Sequence, residues 1–286
     1  MTSLKEFNAN TKLCAVIGNP IEHSLSPLIH NAAFKSLNLN YVYLAFRVEN
    51  IAGAIMGMRS LENMVGLSVT IPHKVQVINY LDEIDDIAQN IGSVNTLYSA
   101  QGKVKGYCTD GLGALKAIES AGVTLDNKKI LILGSGGAAR AVAFTIAMKT
   151  ALNSMSILGV EVLELEKLTS DISARTHFDS ITGDCLSEMT MKREIDNADI
   201  LINCSPVGMY PNFNDSPIDK SYLHRDLTVM DIIYNPLKTR LLKEAEEIGC
   251  KIIPGLEMFI NQAALQFELW TNQKAPVNVM REAILK

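Results

Sequence analysis

Lys129-Ile130-Leu131-Ile132-Leu133-Gly134-Ser135-Gly136-Gly137-Ala138-Ala139-Arg140 is the stretch on which the fold turns. Its aliphatic run suits a strand buried on both faces. Its glycines allow a tight turn and let backbone N–H groups approach a pyrophosphate, and the apolar helix that follows offers its partial positive charge at the same point. A glycine pattern alone says little, but here a strand precedes it and a helix follows it, with small Ala138 and Ala139 at the helix start, which favours close approach over an ordinary strand–helix turn.

The next strand, Met155 to Leu158, should choose between dinucleotides at its end. An acidic residue there bonds the ribose hydroxyls of NAD, whereas arginine clamps the 2′-phosphate of NADP. Gly159-Val160-Glu161 follows, with no arginine or lysine before Lys167. Glu161 reads either as a ribose partner or as a solvated loop residue.

Working outward, short β-rich runs alternate with helical patterns along the chain. The strands are expected at Leu13–Ile17, Tyr41–Val48, Gly66–Thr70, Lys129–Leu133, Asp199–Asn203 and Thr228–Ile232. Helices are expected at Pro27–Leu37, Leu112–Ala121, Ala138–Met148, Leu237–Ile248 and Leu256–Trp270. This alternation marks an α/β protein. The glycine loop divides it into two α/β domains. Residues 111–254 read as a doubly wound, Rossmann-type dinucleotide-binding domain. Residues 1–110, with 255–286 returning to them, read as a second domain that binds substrate. A ligand cleft is expected between the two.

The 286 residues are enough to bury such cores, and 48% hydrophobic with 20% charged residues excludes extensive disorder. A net charge of -5 argues against nucleic-acid binding. The five cysteines are odd in number and lack CxxC spacing, which suggests reduced thiols. Met1–Glu6 lacks the apolar core of a signal peptide, and the longest apolar stretch, Ala141–Met148, is too short for a membrane span. A cytoplasmic protein without membrane or nucleic-acid partners is expected. The five histidines have no metal-site spacing, so no metal is expected.

The segment before residue 111 carries several polar groups at the ends of strands. In Gly18-Asn19-Pro20-Ile21-Glu22-His23-Ser24-Leu25-Ser26-Pro27, Pro27 suits the first helical position and Ser26 the cap. Ser24 is not needed for that cap, and two hydroxyls beside a helix N-terminus can seat a carboxylate. In Ser68-Val69-Thr70-Ile71-Pro72-His73-Lys74, strand alternation sends Ser68 and Thr70 to one face, and Lys74 is expected about one turn into a helix. Asn95 and Asp110 follow in strand-to-turn settings. Each alone reads equally as a solvated or turn-forming residue.

Together these segments resemble the shikimate dehydrogenase family. The resemblance runs through Gly18–Asn31, Val69–Lys74, Val94–Leu97, Thr109–Gly111, Gly134–Ala139, Asn203–Met209, Asp231–Pro236 and Gly255–Gln262. It implies nicotinamide-dependent, reversible reduction of 3-dehydroshikimate to shikimate in aromatic amino-acid (chorismate) biosynthesis. Carried over by position, it makes Lys74 and Asp110 the catalytic pair and Ser24 and Ser26 the hydroxyls for the substrate carboxylate. It puts Thr70, Asn95, Asp110 and Gln262 at ring hydroxyls and Tyr234 near the carboxylate. The cofactor falls to Gly134, Ser135, Gly136, Gly137, Ala138 and Ala139 at the pyrophosphate, with Ile232 and Gly255 beside the nicotinamide. Asp86 matches an acidic position sometimes assigned to the cofactor, and equally reads as a solvated helix face.

There are departures from the family pattern. Ser68 and Cys108 stand where the family usually has asparagine. At Ser68 this implies one shorter substrate contact and is similar to relatives that accept quinate. Gly159-Val160-Glu161 stands where biosynthetic members usually carry Asn-Arg-Thr. The resemblance thus implies NADP, while the missing arginine points to NAD or use of both. A quinate/shikimate dehydrogenase that prefers NAD is the nearest alternative, and a non-catalytic dinucleotide-binding regulator the alternative of another class. A small-molecule substrate and a monomer or homodimer are expected.

Overall fold

The computed structural model describes residues 7–286, so Met1–Glu6, on which the signal-peptide expectation falls, lies outside the described residues. The chain forms two compact units: residues through Thr109 together with Ala263–Lys286, and Asp110–Gln262. The first contains β1 (Lys12–Gly18), α1 (Ser26–Ser36), β2 (Tyr41–Arg47), α2 (Ile51–Ser60), β3 (Met64–Val69), β4 (Glu83–Ile84), α3 (Asp86–Ile91), β5 (Thr96–Ala100) and β6 (Lys103–Tyr107). The second contains α4 (Asp110–Ser120), β7 (Lys129–Leu133), α5 (Gly137–Lys149), β8 (Ser154–Gly159), α6 (Val162–Thr176), β9 (Ile181–Cys185), α7 (Glu188–Ile195), β10 (Ile200–Asn203), β11 (Thr228–Asp231), α8 (Arg240–Ile248) and β12 (Lys251–Ile253). The helix α9 (Gly255–Thr271) starts in the second unit and ends in the first, and α10 (Val277–Leu285) completes the first.

In the first unit the strand order is β2-β1-β3-β5-β6-β4. β2, β1 and β3 run parallel, and β5 turns antiparallel to β3 and β6. Gln101 and Gly102 both have positive φ, at 53° and 75°, the backbone that a two-residue hairpin loop requires. Against the sheet lies an aromatic core in which Phe34, Tyr41, Tyr43, Phe267 and Trp270 pack ring to ring. Trp270 donates its indole N–H to the Leu97 carbonyl at 2.9 Å. It passes so close to β3 that a Cβ on Gly66 would stand 2.0 Å from its Nε1.

The second unit is an all-parallel sheet in the order β12-β11-β10-β7-β8-β9. β7 is central. The chain winds out through β8 and β9, then reverses through β10, β11 and β12, which is the doubly wound dinucleotide-binding order with its switch point between β7 and β10. The apolar run of the opening motif explains the centre, since Ile130–Leu133 are all buried.

Several boundaries differ from the sequence expectation. α8 starts at Arg240 rather than Leu237, because Thr239 caps it by accepting from the Leu242 N–H. The division within the C-terminal region falls after Gln262 rather than before Gly255. The first turns of α9 pack inside the second unit: a Cβ on Gly255 would lie 2.4 Å from the Ile233 carbonyl, and one on Gly113 would lie 2.7 Å from Gln262.

Candidate functional site

The first unit gathers its polar residues at the carboxyl ends of β1 and β3. Thr70 N–H donates to Ile17 O at 3.0 Å and Asn19 N–H to Ile71 O at 2.9 Å, which places the Gly18–Pro27 and Val69–Lys74 motifs side by side. Gly18 must be glycine, since a Cβ there would meet Thr70 Cγ2 at 2.4 Å.

Two local expectations are corrected here. Ser26 is not the helix cap. Leu25 holds that position without a side-chain bond, and Ser24 Oγ instead accepts from the Ser26 N–H at 3.3 Å. Lys74 does not sit in an α-helix. Its carbonyl accepts from Val94 N–H at 2.9 Å, so it stays in a turn ahead of a short 3-10 segment at Gln76–Tyr80. That bond also ties the Lys74 turn to Asn95. Val69 N–H donates to the Asn95 carbonyl at 2.8 Å, from the other side.

A buried polar chain underlies these residues. Tyr43 donates to Ser68 at 2.7 Å, and Ser68 donates to Gln266 Oε1 at 2.8 Å. Gln266 Nε2 reaches Thr96 at 2.9 Å, and Thr96 donates to Asn95 Oδ1 at 2.7 Å. Asn95 Oδ1 also accepts from the Thr109 N–H at 2.8 Å, and its Nδ2 donates to Thr109 Oγ1 at 3.0 Å. Burial pushes the Tyr43 phenol pKa upward and keeps it a neutral donor. Its ring stacks on His30 at 4.4 Å, and burial lowers that histidine to about 3, so the imidazole is neutral at ordinary pH. The Ser68 hydroxyl, expected to make a short substrate contact, both donates and accepts within this internal chain. Sequence reading missed Tyr43 and Gln266. Only Gln266's place four residues after Gln262, on the same face of α9, could have flagged it.

In the second unit, Gly134 has φ of +104°, and a Cβ there would meet the Cys204 carbonyl oxygen at 3.1 Å. Glycine is therefore required by backbone and by space. Gly136 and Gly137 have nothing within 4 Å of a Cβ, and Gly136 caps α5 without any side-chain bond. Ala139 is buried and Ala138 half-buried. An uncapped helix N-terminus beside two unobstructed glycines fits an anionic pyrophosphate. Ser135 Oγ donates to Glu164 Oε2 at 3.1 Å, a partner that sequence reading did not identify.

Further along the same sheet, Asp231 ends β11 and organises the neighbouring loops. It accepts from Thr239 Oγ1 at 2.7 Å, from Asn203 Nδ2 at 3.1 Å and from the Ile233 N–H at 3.1 Å. Burial nevertheless raises its pKa to about 6. Ile232 and Gly255 are brought together, since a Cβ on Gly255 would lie 2.5 Å from the Ile232 carbonyl. Tyr234 stacks on Phe259 at 4.5 Å, and Gln262 Nε2 donates to the Phe259 carbonyl at 3.0 Å. Asp110 opens α4, whose Gly111 packs so tightly on α5 that a Cβ would lie 2.0 Å from Thr145 Oγ1. Asp86 is exposed in the first turn of α3, away from the dinucleotide-type sheet in sequence and in unit.

Comparisons with known proteins agree with this architecture. The family model of the shikimate dehydrogenase substrate binding domain matches residues 16–97, and that of the shikimate 5'-dehydrogenase C-terminal domain matches residues 255–285. A Methanocaldococcus jannaschii protein named shikimate dehydrogenase (NADP+) is 46% identical over 282 residues, which cover 98% of each chain. A crystal structure of a shikimate dehydrogenase in complex with NADP+ superposes with a TM-score of 0.91 at 43% identity, covering 98% of this chain and 96% of the other. The shikimate 5-dehydrogenase of Listeria monocytogenes, in complex with shikimate and NAD, also gives 0.91 at 35% identity, covering 99% of both chains.

Proposed function

The chain belongs to the shikimate dehydrogenase family, and from that premise we propose that it is a nicotinamide-dependent oxidoreductase interconverting 3-dehydroshikimate and shikimate. The reading is carried by likeness over 98% of the chain to a relative bearing that activity. The glycine loop supports it independently, because Gly134, Gly136 and the uncapped start of α5 fit a dinucleotide pyrophosphate. Residues Ser135, Gly137, Ala138 and Ala139 complete that cradle, with Ile232 and Gly255 toward the nicotinamide. The second unit would then hold the dinucleotide.

The bound dinucleotide supplies or accepts the hydride. The chain's own residues handle binding and the proton. Ser24 and Ser26 donate to the substrate carboxylate, with Tyr234 beside it. Thr70 and Gln262 address ring hydroxyls. Asn95 acts mainly by fixing Thr109, the residue that precedes Asp110. Lys74 gives its proton to the oxygen that gains negative charge as the ketone is reduced, a role typically worth about 10²–10⁴-fold in rate. Asp110 accepts from the same hydroxyl. For the cofactor, the absence of arginine and lysine between Gly159 and Glu166 favours NAD or use of both over strict NADP dependence.

Shikimate with either oxidised cofactor, monitored by the absorbance of reduced nicotinamide, tests the reading. Sustained turnover is expected. Cofactor binding without turnover would instead favour the regulator.

A further inference from the structure

Within the reading above, on which this inference rests, the fully buried phenol of Tyr43 has no part in the chemistry. Its position is nevertheless fixed from several sides. Tyr43 lies on β2, an edge strand, and Asn31 of α1 takes the place of a further strand there. It accepts from the Tyr43 N–H at 2.9 Å and donates to the Tyr43 carbonyl at 2.8 Å. The ring stacks on His30 at 4.4 Å, with the planes 7° apart, and packs against Trp270 at 5.9 Å. Adjacent residues of one helix thus hold the backbone and the ring. The hydroxyl lies between Ser68, to which it donates at 2.7 Å, and Ser26, its other hydrogen-bond neighbour.

Beyond Ser68 the donors all point one way. Ser68 donates to Gln266 Oε1, Gln266 Nε2 to Thr96, Thr96 to Asn95 Oδ1, and Asn95 Nδ2 to Thr109. Gln266 Nε2 also faces the Asn95 carbonyl at 3.4 Å. In such a series each bond polarises the next. Without the phenol proton, the Ser68 oxygen is a buried acceptor with no donor on that side. Gln266 can fill it only by turning its amide over. That sets Oε1 against the Asn95 carbonyl and draws the Thr96 proton away from Asn95. Either outcome slackens Asn95, which fixes Thr109 ahead of Asp110. We propose that Tyr43 is a positioning residue of the reaction, its proton setting the direction of the chain that holds Asn95 and, through it, Thr109.

Steady-state oxidation of shikimate by full-length variants tests this. Tyr43→Phe is expected to lower kcat about tenfold, with the shikimate KM within about twofold of wild type. Thr96→Val should cost a similar factor, and Thr96→Ser, which keeps the hydroxyl, should stay near wild type. The decisive variant joins Tyr43→Phe to Thr96→Val. Ser68 and Gln266 separate the two side chains, so unrelated packing defects would multiply to about hundredfold, whereas a shared chain leaves the double variant near tenfold. Multiplied losses, or a Tyr43→Phe kcat equal to wild type, overturn the proposal while leaving the dehydrogenase reading intact. Should Tyr43→Phe fail to fold, Ser68→Ala breaks the next link and carries the same expectation, and its normal turnover would equally overturn the proposal. A wild type without turnover would remove both.

Discussion

On the proposed reading, the Lys74 amine supplies a proton in a step that binding alone does not require. Replacement by alanine should therefore lower kcat by about 10²-fold or more while changing the shikimate KM little. Near-normal turnover would assign the proton to another group. Asp231 makes a different demand. Burial raises its pKa from 3.8 to about 6, so between these values the folded state holds a proton that the unfolded state has lost. Stability should then fall as pH rises through that window and level off above it. Asp231→Asn should flatten this slope in thermal unfolding measured from pH 4 to 7, where ordinary carboxylates titrate at the lower edge. A slope identical to wild type would show that the three hydrogen bonds to this carboxylate outweigh its burial. The residue scale is also where sequence reading reached least far. Lys74, Asn95 and Asp110 were visible as motif members, but Tyr43, Ser68 and Gln266 become partners only when two strands and a helix distant in sequence are brought together.

Elements were legible where one physical signal dominates. The aliphatic run of β7, its glycine turn and α5 obey periodicity and backbone preference at once, and the observed bounds lie within a residue of expectation. The β5–β6 hairpin was not legible, because Gln101-Gly102 lacks the Asn-Gly or Asp-Gly signature although its backbone is the same kind. Helix starts failed where caps compete, as at Ser24, Ser26 and Thr239. Packing of single elements gives a paired test. Gly66→Ala forces a methyl group into Trp270, at 2.0 Å from its Nε1, and should cost about 1–3 kcal/mol. Gly57→Ala, on the exposed face of α2 with nothing within 4 Å, should be neutral or stabilise by about 0.5–1 kcal/mol. Thermal denaturation of the two variants should show opposite shifts, and a Gly66→Ala midpoint equal to wild type would contradict the packing described.

For the molecule as a whole, alternation of strands and helices announced two α/β units, and the glycine loop marked which held the Rossmann-type sheet. The order β12-β11-β10-β7-β8-β9 was only partly implied, because Thr182, Gly183 and Asp184 break the apolar pattern of β9 and β12 has only three residues. The split of α9 between units was invisible, since its apolar surface is nearly continuous from Leu256 to Trp270. What unites the account is hydride transfer to a ring ketone with the proton supplied by the chain. Reduction of 3-dehydroshikimate with nicotinamide deuterated at its transferable position, followed by nuclear magnetic resonance, tests this most directly. Deuterium bonded to the former ketone carbon of shikimate, with the hydroxyl proton drawn from solvent-exchangeable groups, is the predicted result. Unchanged substrate, or shikimate carrying only solvent hydrogen at that carbon, would contradict it.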